Sequence, residues 1–360
     1  MTWNCSFIDH GISIFPDGRI RPCCLTAAEY SKPISEISNP NRFSDLKTSN
    51  RPNACKKCWE NEDRGLLSYR RVNQHTSESA EIKYLDFRHS NHCNLKCRYC
   101  GPHFSNQWAK ELKHSLILKK TVLDFDSLIT EDLEDVYWCG GEPLIMADHY
   151  NFLEKIVELN LNKKISLRYN TNLTVLDYKN IDIVKIWKNF KSVSISISID
   201  AVGEPLNYIR SGCEWKTIEK NIERLVEITR TNPNIKINFA PTISMLNIWF
   251  LPELFEYAAA HNINVVINIL EGPDYLSLNA IPVQLQESAR KKIDSFKNYI
   301  SEKQYIHLNQ MLTRDDNEYL FLHAVRHILL LDKLRNEHLF DLLPFKDLSI
   351  DLTLKNYEYE

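Results

Sequence analysis

The hydrophobic pattern between residues 82 and 271 switches regularly between short β-rich runs and longer segments with helically spaced apolar positions. The β-rich runs are IKYLDFRH, EDVYWC, KISLRYNT, SVSISISI, NIKINFAP and NVVINIL. The helical segments between them are NQWAKELKHSLILKK, HYNFLEKIVEL, NIDIVKIWKNF, WKTIEKNIERLVEITR and FLPELFEYAAAH. Such alternation predicts an α/β fold with a parallel sheet, either doubly wound or curled into a partial barrel.

Two further regions flank these units. Before them, GISIFPDGRIRPCC predicts a hairpin, because apolar positions alternate on both sides of a Pro-Asp-Gly turn. A weak helix is predicted at 37–47, and the polar stretch 73–81 is predicted to be a linker. After the units, ESARKKIDSFKNYI and EYLFLHAVRHILLLDKL predict a helical region that packs on the sheet. We therefore expect three parts, at 1–75, 82–271 and 275–360.

Composition and charge exclude several protein classes. Of 360 residues, 43% are hydrophobic and 25% charged, as in ordinary globular proteins, which excludes disordered and fibrous chains. A net charge of -3 gives no reason to expect nucleic acid or an acidic membrane surface as a partner. The N-terminus MTWNCSFIDH lacks the basic start and apolar core of a signal peptide, and no apolar run approaches the ~20 residues of a membrane span. We expect a cytoplasmic protein.

The ten cysteines are the most informative feature of the composition. In a reducing compartment, clustered cysteines bind metal or take part in chemistry more often than they form disulfides. One group comprises Cys5, Cys23, Cys24, Cys55 and Cys58, and a second comprises Cys93, Cys97 and Cys100 in the run CNLKCRYC, whereas Cys139 and Cys213 stand alone.

The second group follows the first predicted strand of the β/α units. In α/β barrels, the loops after the strands form the active face. Three thiolates from one short loop leave one metal position open, as a catalytic centre requires. Ligation by thiolates alone favours iron–sulfur clusters or zinc. From the residues alone, half of a zinc site is the alternative.

A CxxxCxxC loop after the first strand of a six-unit β/α array resembles the radical S-adenosylmethionine (SAM) superfamily. The resemblance implies a partial (β/α)6 TIM-like barrel in which Cys93, Cys97 and Cys100 hold a [4Fe–4S] cluster. It implies that SAM binds the remaining iron and is reductively cleaved to methionine and a 5′-deoxyadenosyl radical. That radical abstracts a hydrogen atom from the substrate.

Other segments match the same family in order along the chain. The run WCGGEPLI after the second strand matches the family's GGEP motif, expected at the methionine ammonium group of SAM. The third and fourth strands end in YNTN and SISIDA, and the loop YIRSG follows. The resemblance implies an adenine contact for Tyr99, a ribose contact for Ser198 and a carboxylate contact for Arg210. The complete set of expected cofactor-binding residues is Tyr99, Gly140, Gly141, Glu142, Asn172, Ser198 and Arg210.

The N-terminal cysteines form a second candidate site. Four thiolates from a hairpin base and a CxxC segment can close a zinc site or ligate a [4Fe–4S] cluster fully. The segment resembles the twitch module of the SPASM/twitch branch, although that module follows the barrel in most of the branch. The resemblance implies an auxiliary [4Fe–4S] cluster on Cys5, Cys23, Cys55 and Cys58. Cys24 is predicted to be a small buried residue, because successive side chains point apart.

A fully ligated auxiliary cluster can exchange electrons but cannot bind substrate. We therefore expect a radical SAM oxidoreductase that oxidises or tailors a small molecule, with a one-electron donor such as flavodoxin or ferredoxin. A maturase acting on a ribosomal peptide is the alternative, disfavoured because Cys5 leaves no room for a leader-binding domain before it. A zinc-stapled binding protein without enzymatic activity is the second alternative.

The sequence offers several candidates for the residue that completes the reaction. Cys213 lies in the loop of Arg210 and could return a hydrogen atom, although a small buried residue is the simpler interpretation. Proton acceptors at the predicted rim are Glu271, Asp200 and His103. The sequence determines neither the substrate nor the oligomeric state.

Overall fold

The computed structural model describes residues 5–47, 51–65, 67–72, 81–113, 120–312 and 318–348. The strands are β1 (Gly11–Ile14), β2 (Arg19–Arg21), β3 (Lys32–Pro33), β4 (Tyr84–Phe87), β5 (Asp135–Trp138), β6 (Ser166–Thr171), β7 (Asp177–Tyr178), β8 (Ile181–Asp182), β9 (Ser192–Ile197), β10 (Ile235–Phe239), β11 (Thr242–Ile243), β12 (Asn264–Val265) and β13 (Asn268–Ile269). The helices are α1 (Ser6–His10), α2 (Lys56–Asp63), α3 (Tyr69–Val72), α4 (Asn106–Glu111), α5 (Phe125–Leu128), α6 (Ala147–Glu158), α7 (Ile183–Trp187), α8 (Glu204–Ile209), α9 (Trp215–Thr231), α10 (Leu251–Ala260), α11 (Val283–Phe296), α12 (Glu302–Met311), α13 (Glu318–Arg335) and α14 (Leu339–Leu342).

The main sheet has nine strands in the order β12-β10-β9-β6-β5-β4-β1-β2-β3. Strands β4, β5, β6, β9, β10 and β12 are parallel neighbours in chain order. Each of the six predicted β-rich runs contains one of them, which confirms the α/β prediction. Their order never reverses, so the alternative of a doubly wound sheet, which needs a reversal point, is wrong.

One face of this sheet packs against helices. Leu167 in β6 and Val193 in β9 are buried, and so are Phe152 in α6 and Ile222 in α9, all within one hydrophobic cluster. The hydrophobic pattern of the helices is that of amphipathic elements covering a sheet. Burial of this apolar face holds the strand ends, and the loops that follow them, in fixed positions.

The predicted N-terminal hairpin is confirmed, and it extends the main sheet. Strand β1 pairs antiparallel with β2 and parallel with β4, so the hairpin continues the six parallel strands. Gly18 closes the turn with φ +77°, a conformation that glycine adopts without steric cost. A Cβ at Gly11 would lie 2.4 Å from the Pro22 carbonyl oxygen, so the two strands pack too closely for a side chain there.

The weak helix predicted at 37–47 is wrong. The segment consists of turns and a short 3-10 helix, Ser44–Lys47. Pro40 disfavours a helical conformation at the residue before it, and the Asn39 side chain accepts a hydrogen bond from the Asn41 N–H (2.9 Å). Most of the linker predicted at 73–81 lies outside the described residues.

The helices predicted after residue 275 are present as α11 and α13, with α12 and α14 beside them. Among the residues that the structure describes, no helix is long and apolar enough to cross a membrane.

Candidate active site

The loop that carries Cys93, Cys97 and Cys100 follows β4 and is held by the start of α4. The Cys93 N–H donates to the Asn106 side-chain oxygen (2.9 Å), and the Trp108 indole N–H donates to the Cys97 carbonyl (2.8 Å). Each of these bonds satisfies a backbone group of a loop that forms no regular secondary structure. The conformation of the cysteine loop is therefore set by side chains of the following helix.

The three thiols lie close enough to perturb one another. Burial raises the pKa of Cys93 to about 12, and the hydrogen bond from Cys100 lowers the pKa of Cys97. The guanidinium of Arg210 favours the thiolate form of both groups. Within the described part of the chain, no three Cys, His, Asp or Glu side chains converge on a position for a single metal ion.

The segment Gly140–Glu142 after β5 pairs with the backbone that leads into the cysteine loop. The Gly141 N–H donates to the Ser90 carbonyl (3.0 Å), and the Glu142 N–H donates to the His92 carbonyl (2.8 Å). A Cβ at Gly141 would lie 2.0 Å from the His92 carbonyl oxygen. Gly140 has φ +96°, in the region that favours glycine. The adjacent glycines are therefore required for close packing of the two loops, a role that the sequence analysis did not assign to them.

The Glu142 carboxylate is buried behind this segment, with 1% of its surface exposed. It accepts hydrogen bonds from the Thr171 hydroxyl (2.7 Å), the Asn172 N–H (2.7 Å) and the Leu144 N–H (3.1 Å). Burial raises the pKa of Glu142 to about 7, although the three donors act in the opposite direction. The Asn172 side chain also donates to Asn94 in the cysteine loop (3.0 Å). Glu142 after β5 and Asn172 after β6 are thus joined by a hydrogen bond, and Asn172 also contacts the cysteine loop.

A buried ionic group joins three other predicted positions. Asp200 is completely buried and accepts hydrogen bonds from the Tyr99 hydroxyl (2.5 Å) and the Thr242 N–H (2.8 Å). Arg210 forms an ion pair with Asp200 (Nε to Oδ2, 2.7 Å) and donates from Nη1 to the Cys97 sulfur (3.8 Å). The structure therefore places Tyr99 and Arg210 together at the cysteine loop. Asp200, a proton-acceptor candidate in the sequence, is thus engaged by two hydrogen bonds and one ion pair.

The loop of Arg210 is itself paired with the cysteine loop. The Lys96 N–H donates to the Ser211 carbonyl (2.8 Å), and the Arg98 N–H donates to the Ile209 carbonyl (2.9 Å). Gly212 has φ +101°, which allows this loop to turn beside the cysteines. The cysteine loop is thus held by backbone hydrogen bonds from two other loops.

The remaining predicted positions are more scattered. Ser198 is half-buried just beyond β9. Cys213 is buried, and its thiol points toward the Leu206 carbonyl (3.7 Å), which favours its interpretation as a small buried residue. Glu271 is exposed and pairs with Lys57 (2.7 Å), and His103 is also exposed.

Comparison with known protein families agrees with the resemblance found in the sequence. Residues 87–249 match the radical SAM superfamily. The chain contains a radical SAM domain. The match begins in β4 and includes the cysteine loop and Gly140–Glu142. This family implies a [4Fe–4S] cluster and SAM as cofactors of the radical SAM domain.

Individual relatives are distant. The chain is 24% identical over 242 residues to GTP 3′,8-cyclase of Helicobacter pylori, covering 62% of this chain and 71% of that protein. It is 26% identical over 189 residues to GTP 3′,8-cyclase of Campylobacter lari, covering 49% of this chain and 52% of that protein. Among solved structures, SuiB of Streptococcus suis bound to S-adenosylmethionine is similar at 16% identity and a TM-score of 0.34, covering 57% of this chain and 43% of that chain.

Four cysteines outside the matched segment line one small cavity beside the radical SAM domain. Cys5, Cys23, Cys55 and Cys58 surround this cavity together with Phe7, Leu25, Thr26, Tyr69 and Arg70. Burial raises the pKa of Cys5 and of Cys23 to about 12 and also raises the pKa of Cys58, although backbone hydrogen bonds from Phe7, Leu25 and Arg70, respectively, act in the opposite direction. The four thiols thus lie around one shared cavity.

Cys24 does not line this cavity. It is half-buried, and burial raises the pKa of its thiol to about 11, while Asp86 in β4 and Arg88 just beyond it act in opposite directions. The prediction that adjacent Cys23 and Cys24 diverge is thus confirmed, although Cys24 is less buried than predicted.

A buried arginine of the cysteine loop anchors this loop to α13, a contact that the sequence did not predict. Arg98, between two cysteines of the loop, is completely buried. Its guanidinium donates to the Ile328 carbonyl (3.2 Å), to Glu337 (2.6 Å) and to Asp332. These partners lie in or just after α13, more than 200 residues away along the chain. No local pattern connects residues so far apart, so the sequence carried no signal of this contact.

Proposed function

We propose that the chain is a radical SAM enzyme with its reaction centre at the cysteine loop. Cys93, Cys97 and Cys100 would hold the [4Fe–4S] cluster, and Tyr99, Gly140–Glu142, Asn172, Ser198 and Arg210 would contact SAM. The cluster and SAM, when bound, would supply a 5′-deoxyadenosyl radical that abstracts a hydrogen atom from the substrate. The observation that carries this proposal is the packing of three loops at one sheet edge, which brings three thiols and the buried Glu142 together.

The protein's own residues have distinct parts in this proposal. Glu142, oriented by three donors, would accept a hydrogen bond from the SAM ammonium group in its ionised form. Arg210 would stabilise the Cys97 thiolate and reach the SAM carboxylate, because a guanidinium has five donors and Asp200 faces only its Nε. Asp200 would act as a positioning residue that orients Arg210 and Tyr99.

For the fold, we propose that the six parallel strands form a partial (β/α)6 barrel. The N-terminal hairpin and α2 would form a twitch-like module with an auxiliary [4Fe–4S] cluster on Cys5, Cys23, Cys55 and Cys58. The cavity between these thiols supports this assignment. A cluster with four thiolate ligands has no open iron, so its proposed role is to accept an electron during net oxidation or tailoring of the substrate.

We propose a small molecule as the substrate and a flavodoxin or ferredoxin as the electron donor, in the cytoplasm. The names of the relatives specify a nucleotide substrate, GTP, for those proteins. That observation favours a small molecule over a ribosomal peptide for this chain.

Iron and sulfide analysis after anaerobic reconstitution tests the cluster assignments. The intact chain should bind about eight iron and eight sulfide, the content of two [4Fe–4S] clusters. Replacing Cys93, Cys97 and Cys100 together by Ala should leave about four of each and abolish reductive cleavage of SAM by dithionite-reduced protein. Cys213→Ala, which removes a thiol outside both sites, is the matched control and should change neither measurement. Stoichiometric zinc with no iron would show that the chain is a zinc-stapled protein.

A further inference from the structure

The face of the sheet that turns away from the helices is unusually polar. Burial alternates along β5, β6 and β9, so that every second side chain is partly exposed. The partly exposed positions include Tyr137, Arg168 and Ser196. Strands of parallel sheets are ordinarily buried on both faces and rich in Val, Ile and Leu. Packing alone therefore does not explain the polar side chains on this face.

Arg88, just beyond β4, is anchored beside this face by a buried carboxylate. Asp86 is completely buried and accepts from the Ser13 hydroxyl (2.9 Å), the Cys139 thiol (3.2 Å) and the Arg88 Nε (3.0 Å). The ion pair uses only the Nε of Arg88. Within the described part of the chain, neither Nη nitrogen of Arg88 has a hydrogen-bond partner, and 29% of the side chain is exposed. Asp86 thus fixes the guanidinium and leaves its terminal donors available.

A second guanidinium lies on the same side of the sheet. The Cζ atoms of Arg88 and Arg168 are 5.6 Å and 5.7 Å from the centroid of the Tyr137 ring, within the range of cation–π contact. Arg168 Nε is 3.7 Å from Asp135 Oδ1, and 27% of the Arg168 side chain is exposed. Both guanidinium groups therefore lie within cation–π range of the Tyr137 ring, and both side chains are partly exposed.

We infer that Arg88 and Arg168 bind an oxyanion of the substrate, a phosphate or a carboxylate, on the polar face of the sheet. Guanidinium groups match the geometry of both oxyanions and bind them through paired, charge-assisted hydrogen bonds. Arg88 belongs to the segment between β4 and Cys93, so an anion held there lies close along the chain to the proposed reaction centre. This inference deepens the proposed function by naming a chemical group of its substrate, and it rests on that proposal.

Calorimetric titration of reconstituted protein with pyrophosphate and, separately, with malonate tests the inference at constant ionic strength. At least one anion should bind saturably, and the better ligand identifies phosphate or carboxylate as the group recognised. Arg168→Gln and Arg88→Gln should each weaken that binding by about tenfold or more, the effect of losing a charge-assisted hydrogen bond. The matched control is Arg51→Gln, which removes an exposed arginine paired with Asp63 elsewhere.

Two further measurements separate this inference from a structural effect and from the proposed function. SAM binding should be retained in Arg168→Gln, because Arg168 is outside the proposed SAM contacts. If Arg88→Gln does not fold, Arg168→Gln alone decides the outcome. The inference is overturned if neither anion binds the intact protein, or if folded Arg168→Gln binds as tightly as the intact protein. Anion binding without any SAM cleavage would instead overturn the proposed function and leave the anion site in place.

Discussion

Replacing Arg98 by Met is expected to destabilise the protein strongly and to loosen the cysteine loop. Arg98 is fully buried, and its side chain also donates to the Tyr208 carbonyl (2.9 Å). The change leaves Asp332 and Glu337, exposed by only 11% and 13%, without the cation they share. Breaking a buried ion pair from one side typically costs about 3–5 kcal/mol. Folded proteins are stable by only about 5–15 kcal/mol, so the loss is a large fraction of the total.

Urea unfolding of the cluster-free protein, followed by circular dichroism, measures this loss directly. Arg51→Met is the control, because its ion pair with Asp63 is about half exposed (55% and 46%) and such pairs contribute about 0–1 kcal/mol. Iron retained after reconstitution should fall in Arg98→Met and stay unchanged in Arg51→Met. A loss below about 1 kcal/mol in Arg98→Met would refute the reasoning, since it would show that the carboxylates need no buried partner.

Three other predictions follow from the site. The raised pKa of Glu142, about 7, means that the folded state holds this proton more tightly than the unfolded state. The corresponding stabilisation is therefore complete below pH 4.5, amounts to about 3 kcal/mol and is lost as the pH rises through 7. Urea unfolding across this range should show that pH-dependent loss relative to Glu142→Gln, and parallel curves would contradict it. Gly141→Ala should reduce bound iron, because its Cβ would overlap the His92 carbonyl, whereas Gly101→Ala, with no atom within 4 Å of its Cβ, serves as the control. Cys58→Ala should retain SAM cleavage to 5′-deoxyadenosine and lose substrate oxidation, and normal product from protein lacking the second cluster would exclude an electron relay.

Local signals in the sequence predicted the six parallel strands, the hairpin and the longer C-terminal helices. The six β-rich runs predicted strands that the sheet contains in chain order, because each run carries its own hydrophobic period. The Pro-Asp-Gly turn predicted the hairpin for a similar reason, since a turn depends on residues adjacent in the chain. The prediction of a helix at 37–47 was wrong because a proline and an asparagine side chain compete there with helical hydrogen bonding.

The sequence by itself thus determined the β/α order, the hairpin and the cysteine loop, because these depend on residue types and spacing within short segments. Only the tertiary structure decided which groups meet. It packed Arg98 against α13, joined Tyr99 to Asp200, and paired the N-terminal hairpin with β4. Such contacts connect residues far apart along the chain and depend on the shapes of packed surfaces. Short-range periodicity does not specify these shapes, so the partners of a buried charge can be identified only in the folded structure.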